Sequence, residues 1–164
     1  MIEVDDFQVA LEKLTTPEQQ PLLHFWRTNW DEFSGWSDEQ HLSHSIQVRR
    51  EVFQPAIEAV IANHLGAGRP VILEGDFLLP ELAAYPSFNG ETNNGRVRGL
   101  FVYEDETQIA SNFLSREGQE QSKRAHTSYL YSQWLRAECE RLGIPAVSSR
   151  PSNTLLERAV AAIQ

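Results

Sequence analysis

Cysteine, basic charge and long apolar runs are all scarce in this 164-residue chain. The single cysteine, Cys139, excludes an internal disulfide and fits a reducing compartment. It lies among Ala137, Glu138 and Glu140 in a helical pattern, the setting of a structural thiol rather than a nucleophile. Lys and Arg number 14 against 23 Asp and Glu, for a formal net charge of -9. That balance argues against a general nucleic-acid or anionic-membrane surface, although a few local arginines suffice to bind one phosphate. No apolar stretch approaches the roughly 20 residues that cross a bilayer. Met1 to Asp6 has no signal-peptide pattern, and the cytoplasm is the expected compartment. There is no internal repeat, no low-complexity tract and no G-x-S-x-G elbow for a hydrolase. His24, His41, His44, His64 and His126 are scattered, without the spacing of a zinc site.

What is present reads as one globular domain, residues 1–164, with 41% hydrophobic and 23% charged residues. Ile2-Glu3-Val4 alternates like the end of a strand. Phe7, Ala10, Leu11 and Leu14 follow at helical spacing, and Thr15-Thr16-Pro17 stops that helix. An aromatic stretch holds Phe25, Trp26, Trp30, Phe33 and Trp36, read as packing, with a substrate lid or partner patch as the alternative. Ser37 and Gln40 have capping-box spacing at the start of a long helix that Pro55 should kink or split and Gly66 and Gly68 should end. Pro70 to Leu73 and Leu100 to Tyr103 read as strands buried on both faces. Tyr85 to Arg96 reads as an exposed loop. A helix through Tyr129 and Trp134 ends at Gly143, Ile144 to Val147 is a last strand, and Thr154 with Glu157 offers a second capping box. Strands alternating with helices predict an α/β fold, a parallel sheet covered by helices on both faces.

Ligands of such sheets gather beyond the carboxyl ends of the strands. There the sequence places Asp5 and Asp6, then Glu74, Gly75 and Asp76, then Ser148, Ser149, Arg150 and Pro151. Carboxylates at neighbouring strand ends can orient a hydroxyl, accept its proton or hold a hydrated Mg2+; the plainer alternative is that they cap helices and shape turns.

The segment Val71-Ile72-Leu73-Glu74-Gly75-Asp76-Phe77-Leu78-Leu79-Pro80 resembles the second acidic motif of P-loop small-molecule kinases, particularly those similar to 2-phosphoglycerate kinase. Val4-Asp5-Asp6-Phe7 resembles their acceptor-side acidic motif. Phe113 to Arg124 resembles their arginine-bearing lid, and Arg150-Pro151 before a helix resembles the loop that packs on the nucleotide base. The resemblance implies ATP-dependent phosphoryl transfer, with Mg2+, to a hydroxyl of a small-molecule acceptor. It implies Asp5 or Asp6 as the base, and Glu74 near the Mg2+ with Asp76 as a weaker candidate. Arg116 and Arg124 would close over the transferring phosphoryl group. Their alternative is a solvated helix face with Glu117, Glu120 and Lys123 as partners. Arg49 and Arg50 are candidates for an acceptor phosphate or carboxylate, and at least one of them for an exposed helix pair.

The phosphate-binding motif of those kinases, G-x-x-x-x-G-K-[ST], is absent from these residues. Gly90 to Gly95 has the glycine spacing, but Arg96-Val97 follows, and the stretch precedes a strand instead of opening a helix. The resemblance implies that a central strand, the loop and a helix are missing with it, about 30 residues for a usual βα unit. The chain is then expected to be an N-terminally incomplete piece of a longer kinase. Alternatively another chain, such as a second copy, fills the open sheet, or the sheet closes around the gap. Either way the chain alone is not expected to bind ATP tightly or to transfer phosphate. The contrasting reading is a non-catalytic regulatory or interaction module on a degenerate kinase scaffold.

Overall fold

The computed structural model describes all of residues 1–164, which form two compact units, 1–96 and 97–164. In the first unit, β1 (Ile2–Glu3) leads directly into α1 (Asp6–Leu14). The α1 helix stops at Thr15, whose hydroxyl and amide both bond back to the Leu11 carbonyl ahead of Pro17. The aromatic stretch forms two short helices, α2 (Pro21–Thr28) and α3 (Trp30–Ser34), the first opened by proline at its N-terminus. The Ser37–Gln40 capping box forms in both directions and starts α4 (Asp38–Val48).

Pro55 splits the long helix through a wide turn. An unbroken α-helix would need an amide at position 55 to bond the Glu51 carbonyl, and proline has none. Residues Arg49–Phe53 open into a π-helical turn instead, with the Gln54 amide bonded five residues back to Arg49. The helix resumes as α5 (Gln54–Ala67), with Pro55 in its first turn; it runs through Gly66, expected to help end it, and stops at Gly68 in a left-handed conformation. The inserted residue buries both Val52 and Phe53, so the π turn and α5 together supply the core with Phe53 and Ile57.

β2 (Leu73–Glu74) runs parallel to β1. The Ile2 amide donates to the Ile72 carbonyl at 2.9 Å and the Val4 amide to the Glu74 carbonyl at 2.8 Å. Val4 is fully buried beneath this ladder. After α6 (Glu81–Ala84), the segment expected to be an open loop is a small antiparallel hairpin, β3 (Ser87–Phe88) with β4 (Glu91–Thr92). Asn89 and Gly90 both have positive φ, as a two-residue hairpin turn requires. Phe88 is fully buried, and the buried Asn93 side chain bonds the Tyr85 carbonyl, so this segment closes part of the core.

The second unit contains β5 (Phe101–Tyr103), α7 (Glu106–Glu117), α8 (Ser122–Leu142), β6 (Ala146–Ser148) and α9 (Leu155–Ile163). β5 and β6 are parallel, and α7 begins at Asp105, whose carboxylate caps the Gln108 amide. α8 stops at Gly143 in a left-handed conformation. The Thr154–Glu157 box does not form. Thr154 ends a 3-10 turn (Ser152–Thr154), and its hydroxyl turns back to the Pro151 carbonyl.

The protein is therefore mixed α/β with short parallel ladders, as the alternation of strands and helices predicts. The strands are shorter than expected and sit in three separate two-stranded ladders. They are also not sealed on both faces: Ile72 is 68% exposed and Val102 49%. In a parallel ladder alternate residues direct their amides and carbonyls to opposite edges. Ile72 and Glu74 face β1, so Leu73 faces outward; Phe101 and Tyr103 face β6, so Val102 faces outward.

Candidate functional site

The carboxyl ends of β1 and β2 bring Asp5 and Asp76 together. The Asp76 amide donates to Asp5 Oδ1 at 2.9 Å, which ties the acidic segment after β2 to the one after β1. Gly75 makes this approach possible. Its φ is +137°, and a Cβ there would lie 2.4 Å from Asp5 Oδ1 and 2.7 Å from Val4 Cγ2. No side chain fits at that position.

Burial pushes the Asp5 carboxyl above the ordinary aspartate value, and the neighbouring charges of Asp76 and Asp6 add to the effect. The Asp76 amide and the Arg49 guanidinium pull the other way and are outweighed. Asp5 is thus an oriented carboxylate with raised proton affinity. Asp6 lies in the first turn of α1, where a negative charge meets the positive end of the helix dipole. Glu74 is exposed on β2, one residue before the glycine.

Arg49 reaches this segment from the π turn. Its Nε donates to the Asp76 carbonyl at 2.9 Å, and its Nη1 bonds the Ser45 carbonyl at 3.0 Å and the Ser45 hydroxyl. The guanidinium lies 5.3 Å from the centre of the Phe77 ring, which stacks on buried Phe53 at 4.0 Å. Asp5, Asp76 and Arg49 therefore form one connected group. Arg50 departs from it: its guanidinium grips Glu81 through two bonds of 2.7 and 2.9 Å. Of the two arginines, Arg50 takes the helix-surface role and Arg49 the site-facing one.

Within the second unit, Arg116 and Arg124 adopt the solvated arrangement. Both pair with Glu117, at 2.7 and 2.9 Å, and both lie over the Phe113 ring, at 5.1 and 4.4 Å. The pairing holds the Glu117 carboxyl below the ordinary range, the hydrogen bond from Arg116 contributing most. Of the partners foreseen for these arginines, Glu117 is the one the structure uses.

Arg150 and Pro151 follow β6 and are joined by a cis peptide bond. Arg150 Nε lies 3.4 Å from Glu104 Oε2, and the Ser149 hydroxyl bonds the same oxygen. Glu104 Oε1 accepts the Asp105 amide at 3.0 Å. Arg158 braces the turn from α9, donating to the carbonyls of Ser148 at 2.7 Å and Pro151 at 3.0 Å. Sequence reasoning missed Glu104 and Arg158. Glu104 directly follows the apolar run Leu100 to Tyr103 and so occupies the same strand-end position that singled out Asp5 and Glu74.

No group of three or more His, Cys, Asp or Glu side chains is arranged to hold a metal ion. A hydrated Mg2+ needs only one or two carboxylates when substrate phosphates supply its other ligands. The residues present offer such carboxylates, but no glycine-rich turn of consecutive amides at a helix start that would cradle a triphosphate. Comparison with protein-family models, curated proteins and solved structures returns no significant match to this chain.

Proposed function

We propose that this chain carries the acceptor-binding and lid portions of an ATP-dependent small-molecule kinase scaffold of the P-loop type. By itself it neither binds ATP tightly nor transfers phosphate. The observation that carries the reading is the Asp5 carboxylate docked on the Asp76 amide at the carboxyl end of two parallel strands. The raised proton affinity and fixed orientation of Asp5 suit a group that accepts the proton of an acceptor hydroxyl. Asp5 is thereby favoured over Asp6 as the base. In this reading Glu74 and Asp76 would lie near a Mg2+ arriving with a nucleotide, and Arg49 would contact an anionic acceptor.

Strand pairing supports the same reading. The resemblance has the missing strand flanked by Pro70–Leu73 and Leu100–Tyr103. Each of these segments is one strand of a parallel ladder with an unpaired outer edge, at Leu73 in the first unit and at Val102 in the second.

The acceptor side is tested by titrating the chain with small hydroxy acids and phosphorylated hydroxyl compounds while recording backbone NMR shifts. Perturbations are expected at Asp5, Asp6 and Glu74 to Phe77, and their loss in Asp5→Asn. A complete panel that leaves these residues unmoved would sink the proposal. The neutralised pair Arg116 and Arg124 favours one other reading, a non-catalytic interaction module, which predicts a stable oligomer and no acceptor binding.

A further inference from the structure

The strongest group outside this site is the aromatic cluster of α2, α3 and α4. Phe25 stacks on Trp36 at 4.9 Å, and Phe33 lies 5.1 Å from Trp36. Two histidines of α4 enter the cluster: His41 lies 4.6 Å from Phe33, and His44 lies 5.2 Å from Trp36 and 5.5 Å from Phe25. His44 Nε2 is buried and has no hydrogen-bond partner.

We propose that His44 makes this cluster a pH-sensitive clamp, which holds α2 and α3 on α4 while the imidazole is neutral and releases them when it is protonated. A neutral ring can present Nε2 as a bare lone pair among aromatic carbons. Protonation would place an N–H there with no acceptor, on a half-buried ring. Burial accordingly holds the His44 pKa below the ordinary histidine value, against the Leu22 backbone contact, which favours the charged ring.

The titratable and charged neighbours do not supply a counter-ion. On α4, His41 opposes the charge, and Asp38 lies exposed in the first turn. On α2, Arg27 pairs with Glu12, and the buried His24 ring is bonded to the Thr15 hydroxyl. Asp31 and Glu32 on α3 are exposed. Of all these, only His41 acts on His44 electrostatically, and it acts to keep the ring neutral.

The sign follows from linkage. His44 binds its proton less tightly in the closed cluster than in an open chain, so closure is fully stable above about pH 6.5 and weakens as pH falls below it. One proton allows the opening equilibrium to grow by up to about tenfold per pH unit, until the closed-state pKa is passed.

Hydrogen exchange of the whole chain from about pH 7.5 to 5, corrected for intrinsic rates, tests the clamp. Protection of residues 21–36 should fall below about pH 6.5 while α5 stays protected, and His44→Phe should remove the dependence. Protection of residues 21–36 that does not change with pH, or that changes equally in His44→Phe, would overturn the proposal. Should that variant not fold, NMR titration of the wild-type His44 ring decides. A midpoint below the ordinary value of about 6.5 supports the clamp, and one at or above it refutes it.

Discussion

Replacing Gly75 with alanine tests the geometry of the candidate site through stability alone. Two costs combine at this position. A φ of +137° lies where L-residues are strained, which costs on the order of 1–3 kcal/mol. The added Cβ would also sit 2.4 Å from Asp5 Oδ1, so the Asp5–Asp76 hydrogen bond must stretch or break. Losing such an exposed bond costs about 0.5–1.5 kcal/mol net. Together they place Gly75→Ala at roughly 1.5–4.5 kcal/mol. Gly68→Ala is the control, since its φ is +62° and nothing lies within 4 Å of the added Cβ. Left-handed backbone strain alone predicts about 1–2 kcal/mol there. Urea denaturation of both variants measures the difference, provided the slopes match. Equal losses in the two would refute the close approach of β1 and β2 at Gly75.

Four further outcomes follow. At neutral pH Asp5→Asn should be at least as stable as the wild type, and Asp5→Ala less stable by about 1 kcal/mol, because asparagine still accepts the Asp76 amide. The raised Asp5 pKa has the same sign: the folded state favours the protonated acid, so stability from this group is lost as pH rises through its folded value, and a denaturant series against pH should show that loss abolished in Asp5→Asn. Burial pushes the Cys139 thiol up to about 11, so it should resist a disulfide reagent near pH 8 until the chain unfolds, which timed labelling with and without denaturant measures. Hydrogen bonding to Arg116 and Gln121 lowers the Glu117 pKa, so whatever these contacts contribute is lost as pH falls through that lowered value. Glu117→Gln should lower the melting temperature only slightly while strengthening phosphate binding in the second unit, read by NMR shifts of Arg116 and Arg124.

Local chemistry made much of the fold legible. Thr15-Thr16-Pro17, the Ser37–Gln40 box, Gly68 and Gly143 each end or start a helix where the residues foretold, because each acts within one turn of the backbone. The break at Pro55 was also legible, but not its form. Whether proline kinks a helix or opens a π turn depends on what the flanking residues bury, here Val52 and Phe53. The β3–β4 hairpin was hidden because its strands are two residues each, too short for an alternating pattern, although Asn89-Gly90 carried the turn signal. Thr154 failed as a cap because a 3-10 turn drew its hydroxyl to Pro151, a competition that residue spacing does not record.

The candidate site was half legible. Strand-end logic selected Asp5, Glu74 and Asp76, and the structure joins Asp5 to Asp76. It could not separate Arg49 from Arg50, since their divergence depends on the π turn that sends one to Asp76 and the other to Glu81. The exposure of Ile72 and Val102 was not legible either, because four consecutive apolar residues look the same whether or not both faces are covered.

The phosphate loop remains the centre of the account. The coding sequence around this chain should contain, in frame and upstream of Met1, a strand followed by G-x-x-x-x-G-K-[ST] and a helix. Finding it would supply the triphosphate cradle that these residues lack. An upstream reading frame that encodes no such loop would contradict the kinase assignment of this gene product.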